Sequence, residues 1–392
     1  MKGRVEVFIV SWLVASMLVI AWVIFSILSY RGLRRAKSLQ PVKYTQPFFP
    51  LVTVVIAAKN ESQAIEATID SLLAQSWPNL EIIVVDDRST DDTLPKLRKI
   101  EQYHQQVTVL AIDQLEQGWL GKNNALQQGA RLASGDWILF TDADVSFSKE
   151  AITTAMQFSL DQEIDHLALS PRLIAKGFWL KMTIYFFLYN VMIIFRPQNA
   201  SLPHSKAYVG IGAFNLMKKS VYHSVGEHQL IALRSDDDLA LGEKIKKAGY
   251  HQVFAGGSSL IAVTWYPSLP AMARGLEKNV MAPFHYRFYR FLGAIFAMTI
   301  FYEGPILGML WGHGESRVLF LLAFLIEWRL FALTRTYSGV SGFWGLSIPF
   351  SLPITVFIFL RSALLCALRG GIVWRGTFYP LQELRQQSTK NK

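Results

Sequence analysis

The sequence predicts an α/β domain that apolar segments on both sides attach to a membrane. Within residues 49–280, short continuous apolar runs alternate with stretches of helical periodicity, the pattern of strands that crossover helices bury on both faces. A charge-free apolar run precedes this part, and an apolar third follows it. Hydrophobic residues make up 51% and charged residues 17% of the 392 residues, with a mean hydropathy of +0.25, and this balance favours a membrane protein.

The first apolar run, residues 7–30, contains no charged residue and is long enough to cross a bilayer as a helix. A cleaved signal peptide is the alternative, but the run exceeds a signal-peptide core of about 7–15 residues and ends in Tyr30 and Arg31 instead of small residues. Residues 1–37 are therefore predicted to form a retained anchor. Four basic residues follow the run and two precede it, a bias that predicts a cytoplasmic position for the next domain.

Five apolar runs in the central part have the length and composition of buried strands. They occupy residues 51–58, 80–85, 107–112, 137–140 and 166–169. Helical periodicity between them predicts βαβ units, and residues 49–280 are taken as one domain. Ligands of such sheets bind beyond the carboxyl ends of the strands, so the residues that directly follow each run are candidates for chemistry.

Three further apolar stretches follow the domain, at residues 291–311, 318–334 and 343–368. They predict transmembrane or interfacial helices over residues 290–370, followed by a polar tail over residues 371–392. Four full spans would put the basic tail outside, against the charge rule, so a re-entrant carboxyl-terminal segment is the alternative.

One apolar run lies inside the α/β domain itself, at residues 178–195. Lys181 interrupts it and leaves only a short uninterrupted stretch. This run is therefore predicted to lie at the membrane interface instead of spanning the bilayer.

The net charge of +10 has two possible sources, a nucleic-acid partner or a membrane surface. Lys and Arg cluster beside apolar segments and the sequence contains no nucleic-acid-binding motif, so attraction to anionic lipid head groups is the better explanation. The single cysteine, Cys366, lies in an apolar run, which excludes a disulfide framework and a cysteine-based metal site.

Acidic residues follow the first two predicted strands. Glu61 comes shortly after the first strand, and Asp86 and Asp87 end the second. Carboxylates at these positions can accept hydrogen bonds from a base or from ribose hydroxyls. A turn that caps a helix is the alternative, and it suits Asp91 and Asp92. It is weaker for Asp86 and Asp87, because burying an acidic pair costs free energy unless a ligand or partner compensates.

Asp142 and Asp144 follow the fourth apolar run in the order Thr-Asp-Ala-Asp. Alternation along an extended chain puts both carboxylates on the same side, where they can reach one hard cation or its waters. Mg²⁺ and Mn²⁺ are commonly held by one or two carboxylates together with substrate phosphate oxygens. A bare Asp-x-Asp is common by chance, but its place directly after a buried strand strengthens the prediction.

A third acidic group, Asp236 to Asp238, opens a stretch of helical spacing that ends before Gly249. Acidic residues are favoured at a helix N-terminus, so capping is the alternative. Three in a row exceed what capping requires, and one of them can be a general base for an acceptor hydroxyl.

Lys122 follows a glycine pair, Gly118 and Gly121, between the third and fourth runs. Backbone donors and one cation at a helix start can bind a diphosphate. The motif lacks the spacing of a P-loop, so alone it carries little weight.

Taken in this order, these motifs resemble glycosyltransferase family 2, whose members are inverting enzymes with a GT-A fold. The resemblance covers about residues 51–279. Residues 54–61 are similar to the opening strand of the family. Residues 84–93 are similar to its Val-Asp-Asp-Gly-Ser-Thr-Asp-Asp-Thr signature, with Arg88 in place of the glycine.

The resemblance implies roles for the strand-end residues. The nucleotide-sugar donor would be bound by Glu61, Asp86, Asp87, Lys122 and Asp142. Asp142 and Asp144 would also hold a divalent cation, Mg²⁺ or Mn²⁺, at the diphosphate. The catalytic pair of the family would correspond to Asp237 and Asp238, with Asp238 as the base. Because the first position of the pair is aspartate instead of glutamate, Asp236 and Asp237 stay rival bases.

One family motif is missing from this sequence. Processive relatives and ceramide glucosyltransferases carry Gln-x-x-Arg-Trp after the base, whereas residues 274–279 here read Arg-Gly-Leu-Glu-Lys-Asn. This segment is similar to the Gly-x-x-Lys-Asn of bacterial membrane transferases of carotenoid or hopanoid type. Residues 208–218 are similar to the family loop near the sugar and acceptor.

The resemblance implies a multi-pass protein of the inner cell membrane with a cytoplasmic catalytic domain. It would transfer a sugar to a hydroxyl or carboxyl group of a membrane lipid, and a UDP-sugar is the preferred candidate for the donor. No nucleic-acid partner is expected. A processive polysaccharide synthase and a non-enzymatic transport or lipid-binding protein are the alternatives. A Rossmann dehydrogenase is excluded, because no Gly-x-Gly-x-x-Gly follows the first strand.

Overall fold

Strands and helices alternate through the central part of the chain, and long helices lie on either side of it. The computed structural model describes residues 2–35, 37–45, 47–374 and 377–390. The strands are β1 Val52–Ala58, β2 Leu80–Asp87, β3 Val107–Ile112, β4 Trp137–Asp142, β5 Val145–Phe147, β6 His166–Ser170, β7 Arg172–Leu173, β8 Asn215–Lys218, β9 Gln252–Gly256, β10 Ile261–Val263, β11 Gly371–Trp374 and β12 Thr377–Pro380. The helices are α1 Lys2–Arg35, α2 Ile65–Leu73, α3 Thr93–Tyr103, α4 Gly121–Leu132, α5 Ala151–Asp161, α6 Phe178–Ile194, α7 Lys219–Ser224, α8 Asp237–Lys247, α9 Leu269–Gly275, α10 Phe288–Trp311, α11 Ser316–Leu333, α12 Arg335–Ser338, α13 Ile348–Arg369 and α14 Leu381–Lys390.

The main sheet has seven strands in the order β3-β2-β1-β4-β8-β6-β9. The first four strands of this order are parallel to one another, β6 and β9 are also parallel, and β8 is antiparallel to both of its neighbours. All five apolar runs form strands of this sheet, which confirms the predicted α/β class. The sequence did not indicate β8, because only two apolar residues, Leu216 and Met217, lie between its polar ends.

Both faces of the main sheet are buried, since the strands send alternate side chains into two separate cores. Val54 and Ile56 of β1 pack under α2, α3 and α5, whereas Val55 packs under α4, α7 and α8. Continuous apolar runs are what a strand buried on both faces requires. Polar side chains are therefore concentrated at the strand ends, where the sequence analysis located the candidate residues.

A smaller sheet of three short strands, in the order β5-β10-β7, lies beside the main one. Its first strand, β5, begins directly after Asp144, and β7 leads within five residues into α6. This sheet therefore connects the carboxyl edge of β4 with the long apolar helices.

In the part of the chain that the structure describes, four segments are long and apolar enough to cross a membrane by length and composition: Glu6–Tyr30, Phe178–Asn199, Phe288–Trp311 and Gly342–Arg369. The first lies within α1, in agreement with the predicted anchor helix. The second contains α6, so the interfacial position predicted for residues 178–195 stays a prediction. The stretch at 318–334 forms most of α11, whose sequence includes Glu327 and Arg329.

Helices α1, α10 and α11 pack against one another along their apolar faces. The ring of Trp22 stacks on Phe301 at 3.9 Å between centroids, and the edge of Tyr302 contacts Trp22 at 5.5 Å. Gly308 of α10 lies against the ring of Phe320 of α11, where a larger residue would overlap that ring.

The predicted polar tail forms regular structure. Strands β11 and β12 pair as a hairpin, and α14 follows. Ile372 and Tyr379 of the hairpin are buried in an apolar cluster with Leu276 and Cys366. Residues 375, 376, 391 and 392 of the predicted tail, and Met1 and Ala36 of the predicted anchor, lie outside the described residues.

Candidate active site

Strands β1, β2 and β4 end at the same edge of the main sheet. Ala58 pairs with Asp86, and Ala57 pairs with Asp142, so the acidic ends of β2 and β4 lie on either side of β1. Parallel pairing is what brings these carboxylates together, because it aligns the carboxyl ends of neighbouring strands.

Arg88 holds the carboxylate of Asp87 at the end of β2. Its Nε donates to Asp87 Oδ1 at 2.7 Å and its Nη2 donates to Oδ2 at 3.0 Å, while Lys59 Nζ lies 3.9 Å from Oδ2. Such a two-point pair is among the stronger charged contacts. Arg88 has a φ of +58°, a left-handed conformation that costs a non-glycine residue about 1–2 kcal/mol.

Asp86 is buried beside this pair. Its Oδ2 accepts a hydrogen bond from the backbone N–H of Ser89 at 3.2 Å. Its Oδ1 has no hydrogen-bond donor among the described residues. A buried acceptor without a donor costs free energy, so Asp86 Oδ1 is suited to a ligand N–H or O–H.

The N-terminus of α4 connects the ends of β2 and β4. Gly121 lies so close to Asp87 that a Cβ at this position would overlap Asp87 Oδ2. The next residue, Lys122, places its Nζ 2.8 Å from Asp142 Oδ1 and 3.3 Å from Asp237 Oδ2. Lys122 therefore joins the end of β4 to the start of α8.

The three acidic residues at the start of α8 have different partners. Asp236 is paired with Arg234, whose Nε and Nη2 donate to its two oxygens at 2.7 and 2.6 Å. Asp237 is paired with Lys122. Asp238 Oδ2 accepts from the backbone N–H of Gly212 at 2.7 Å, and among the described residues Asp238 forms no salt bridge.

Glycines allow the loop at 210–212 to approach Asp238 and Asp142 closely. A Cβ on Gly210 would overlap the backbone of Asp238, and a Cβ on Gly212 would overlap Asp142 Oδ2. Contacts therefore run without a break from Asp87 through the α4 start and Asp142 to Asp238. The structure brings together the three acidic sites that are far apart in sequence.

Asn123 fixes the loop that precedes the acidic residues of α8. Its buried Nδ2 donates to the carbonyls of Ile231, Ala232 and Arg234 at 2.8, 3.1 and 2.9 Å. The sequence contained no signal for this contact, because the partners lie more than 100 residues away from Asn123 and are backbone atoms.

The carboxylates around Lys122 perturb one another. Burial, followed by the charges of Asp142 and Glu61, raises the pKa of Asp144 to about 7. Burial, followed by the charge of Asp237, raises the pKa of Asp238 to about 7. Burial acts to lower the pKa of Lys122, but the nearby carboxylates outweigh it and raise that pKa above its ordinary value. Among the described residues, Asp142, Asp237 and Asp238 all act on the one ammonium of Lys122.

Asp142 and Asp144 supply hard oxygen donors, which suit Mg²⁺ or Mn²⁺. The effect of Asp142 on the pKa of Asp144 shows that the two carboxylates are neighbours, an arrangement in which a cation binds favourably. Among the described residues, no three acidic, histidine or cysteine side chains are grouped so as to hold a metal ion.

Two tyrosines that the sequence analysis missed lie at the site. Burial, followed by the charges of Asp142 and Asp144, raises the pKa of Tyr266 above its ordinary value. Tyr379, from the carboxyl-terminal hairpin, lies beside the backbone N–H of Gly121 and near Asp87. Neither residue belongs to a motif that composition or spacing would single out.

The central α/β sheet, with carboxylates gathered at its parallel strand ends, agrees with the GT-A fold that the resemblance of the motifs implies. Residues 53–226 match the family model of Glycosyl transferase family 2. This match agrees with the resemblance of the motifs to that family.

Known proteins are similar to this chain in sequence and in structure. The 4,4'-diaponeurosporenoate glycosyltransferase of Staphylococcus aureus is 29% identical over 226 residues, which are 57% of this chain and 55% of that protein. The chain thus matches about half the length of this relative. A mannosyltransferase from Pyrobaculum calidifontis, solved in complex with GDP-Man and Mn²⁺, superposes with a TM-score of 0.54 at 19% identity, over 91% of this chain and 99% of that one. The latter similarity shows a shared fold.

Proposed function

We propose that the protein is an inverting glycosyltransferase that moves a sugar from a nucleotide-sugar donor to a hydroxyl or carboxyl group of a membrane lipid, with a divalent cation. The observation that carries this proposal is the unbroken line of contacts from Asp87 through Lys122 and Asp142 to Asp238. The named activity of the Staphylococcus aureus relative and the donor and metal bound by the Pyrobaculum calidifontis protein support it.

The nucleoside binds at the end of β2. Asp86 Oδ1 accepts from the base or ribose, since it is buried without a donor among the described residues. Glu61 lies close enough to Asp144 to affect its pKa, so it borders the nucleoside and the diphosphate regions at once. Lys122 stands at the diphosphate, where its ammonium offsets phosphate charge.

Asp142 and Asp144 would hold the divalent cation. It would supply Lewis-acid chemistry that neutralises charge on the departing nucleoside diphosphate. The chain's own contribution is the negative field of these two carboxylates, which attracts a cation.

Asp238 acts on the acceptor. Its carboxylate takes the proton of an attacking hydroxyl, the new bond forms between that oxygen and the anomeric carbon, and the bond from this carbon to the diphosphate oxygen breaks. Attack opposite the leaving group inverts the anomeric configuration. Asp236 and Asp237 are held by Arg234 and Lys122, which favours Asp238 among the three rivals.

Three helices cross the membrane in the proposed topology. The start of α1 lies beside the turn between α10 and α11, where Ser11 Oγ is 2.7 Å from Ser316 Oγ. The other end of α1 contacts the α/β side, where Tyr337 donates to the carbonyl of Gly32 at 3.1 Å. The 18 residues of α11 span about 27 Å, close to the thickness of a bilayer core.

Helices α6 and α13 lie along the membrane surface on the side of the α/β domain. The segment before α13 packs on β9, with Tyr337 and Phe254 rings 4.9 Å apart, and Arg369 at its end is 3.0 Å from Glu277. Met192, near the end of α6, packs against β6 and β9. A helix with both ends on one domain does not cross a bilayer, so the carboxyl terminus stays on the cytoplasmic side, as the charge rule requires.

The activity is tested with membranes that contain the protein and a panel of radiolabelled UDP- and GDP-sugars, followed by lipid extraction. One donor is expected to label a lipid, and chelation with EDTA is expected to abolish the labelling. Long polymer made from donor alone would instead indicate a polysaccharide synthase. Absence of nucleotide binding, together with insensitivity to EDTA, would favour a transport or lipid-binding protein.

The topology is tested by cysteine labelling, because Cys366 is the single cysteine of the chain. In a Cys366→Ala background, His313→Cys is expected to react with a membrane-impermeant maleimide on intact cells. Tyr103→Cys on the domain surface and Gln382→Cys in α14 are expected to react only after lysis. Labelling of Gln382→Cys on intact cells would show that α13 crosses the membrane and would overturn the three-span arrangement.

A further inference from the structure

A cavity of about 560 Å³ lies where the small sheet meets α6 and the turn before α13. This volume falls within the range of about 300–1,000 Å³ that is typical of ligand pockets. Its walls come from β7, from the first half of α6 and from residues 338–344. It is separate from the acidic strand ends and was not indicated by any motif of the sequence.

The cavity combines positive charge with aromatic surface. Arg172 and Lys181 line it, and no acidic residue does. Among the residues that the structure describes, neither cation is paired with a carboxylate. Tyr185 and Trp344 form an aromatic wall, with their rings edge to face at 5.2 Å. Two uncompensated cations beside apolar rings suit a molecule with an anionic head and an apolar chain.

The cavity is close to the proposed transfer centre. In the small sheet, β7 lies two strands from β5, which is about 10 Å at the usual strand spacing, and β5 begins directly after Asp144. Aromatic contacts also connect α6 with the acidic site. The rings of Phe187 of α6 and Trp265 are 4.8 Å apart, and those of Trp265 and Tyr266 are 4.8 Å apart. Tyr266 in turn lies beside Asp142 and Asp144.

The rim of the cavity is apolar and exposed. Phe178 and Trp179 at the start of α6 are 56% and 57% exposed, and Phe343 and Phe350 around the start of α13 are 76% and 63% exposed. Exposed apolar surface of this extent next to basic residues is typical of a surface that meets a membrane. A chain that leaves the cavity over this rim enters the bilayer directly.

We propose that this cavity binds the anionic head of the lipid acceptor, a carboxylate or phosphate carried by an apolar chain that stays in the membrane. Arg172 and Lys181 hold the head, and the aromatic wall covers the first part of the chain. This inference rests on the proposed function only in calling the bound lipid the acceptor. The binding of an anionic amphiphile in the cavity does not depend on it. It restricts the substrate class to anionic amphiphiles.

Binding is tested without any sugar transfer. The purified protein in non-ionic detergent is titrated with oleate, oleyl alcohol and acetate by isothermal calorimetry. Oleate is expected to bind at least about ten-fold more tightly than the other two, since only oleate combines charge with an apolar chain. Arg172→Gln and Lys181→Gln are each expected to weaken oleate binding about ten-fold.

Lys99→Gln is the matched control, because Lys99 is an exposed cation on α3, outside the cavity. It is expected to bind oleate as the unchanged protein does. Equal oleate affinity in all four proteins would overturn the proposal, and so would acetate binding as tight as oleate binding, which would indicate a site for free anions. Circular dichroism confirms that each variant is folded.

Transfer kinetics then separate this inference from the proposed function. With an anionic lipid acceptor, the two cavity variants are expected to raise the acceptor KM about ten-fold with little change in kcat or in donor KM. Oleate binding without transfer from any donor would refute the proposed function and leave the cavity assignment intact. Transfer with unchanged acceptor KM in both variants would refute the cavity assignment alone.

Discussion

The two sides of the acidic site are built from the same kind of residue but differ in charge balance. On the Arg88 side, which comprises Asp86, Asp87 and Arg88, the guanidinium satisfies both oxygens of Asp87. On the Lys122 side, which comprises Asp142, Asp144, Asp237, Asp238 and Lys122, one ammonium faces four carboxylates. Both sides lie at or beside the carboxyl ends of strands in the main sheet. The difference in their charge balance therefore comes from the residues that the neighbouring loops supply.

This difference indicates which side depends on ligands for its charge. The Arg88 side is organised by contacts within the protein, apart from the one buried oxygen of Asp86. The Lys122 side keeps two carboxylates with a pKa raised to about 7, and in the proposed function a bound cation and an acceptor hydroxyl would complete it. Substitutions on the Lys122 side are therefore expected to affect chemistry, and substitutions near the Arg88 side are expected to affect donor affinity.

The largest effect is expected for Asp238→Asn. Loss of a general base lowers turnover by about 10²–10⁴-fold, because the amide cannot take a proton. The binding of nucleoside diphosphate with Mn²⁺, measured by calorimetry, is expected to survive, since Asp238 does not touch the donor in the proposed arrangement. Asp236→Asn is the comparison, and its turnover is expected to fall less. Full activity of Asp238→Asn would refute the assignment of the base.

Asp144→Asn is expected to weaken the binding of Mn²⁺ and, with it, activity by about 10²-fold. The reason is that a site of two carboxylates loses half of its charge, and the substrate phosphates alone hold the ion poorly. Electron paramagnetic resonance of Mn²⁺ in the presence of nucleoside diphosphate measures the affinity. Asp92→Asn, an exposed carboxylate at the start of α3, is the control and is expected to bind Mn²⁺ normally. Unchanged Mn²⁺ affinity in Asp144→Asn would contradict the metal role.

The pH dependence of kcat/KM tests the raised pKa of Asp238. The base must be ionised, so activity is present above about pH 7 and is expected to fall about ten-fold per pH unit below it. The charge of Asp237 contributes to this raised pKa, so Asp237→Asn is expected to move the acid limb to lower pH. An acid limb that stays in place in Asp237→Asn would contradict the interpretation that these two neighbours are coupled.

The sequence predicted the strand-end carboxylates, because parallel pairing alone aligns the ends of β1, β2 and β4. It did not predict Arg234 or Asn123, whose contacts depend on how a loop folds back on the α4 start. The small sheet was also missed, since strands of two or three residues show no periodicity. Hydropathy identified the apolar helices but records only composition, so it gave no information on where the ends of α13 attach.

The smallest effect is expected for Tyr379→Phe, near the Arg88 side. The variant removes one hydroxyl that lies beside the backbone N–H of Gly121, and a polar contact of this kind is worth at most about 0.5–1.5 kcal/mol. Gly121 borders Asp87, so the dissociation constant of the donor, measured by calorimetry, is expected to rise about two- to ten-fold while kcat changes little. Phe378→Leu, which alters an exposed neighbour on the same hairpin, is expected to bind donor normally. A fall in kcat with unchanged donor affinity would show instead that the hairpin acts on the Lys122 side. The assignment of Tyr379 to the Arg88 side would then be wrong.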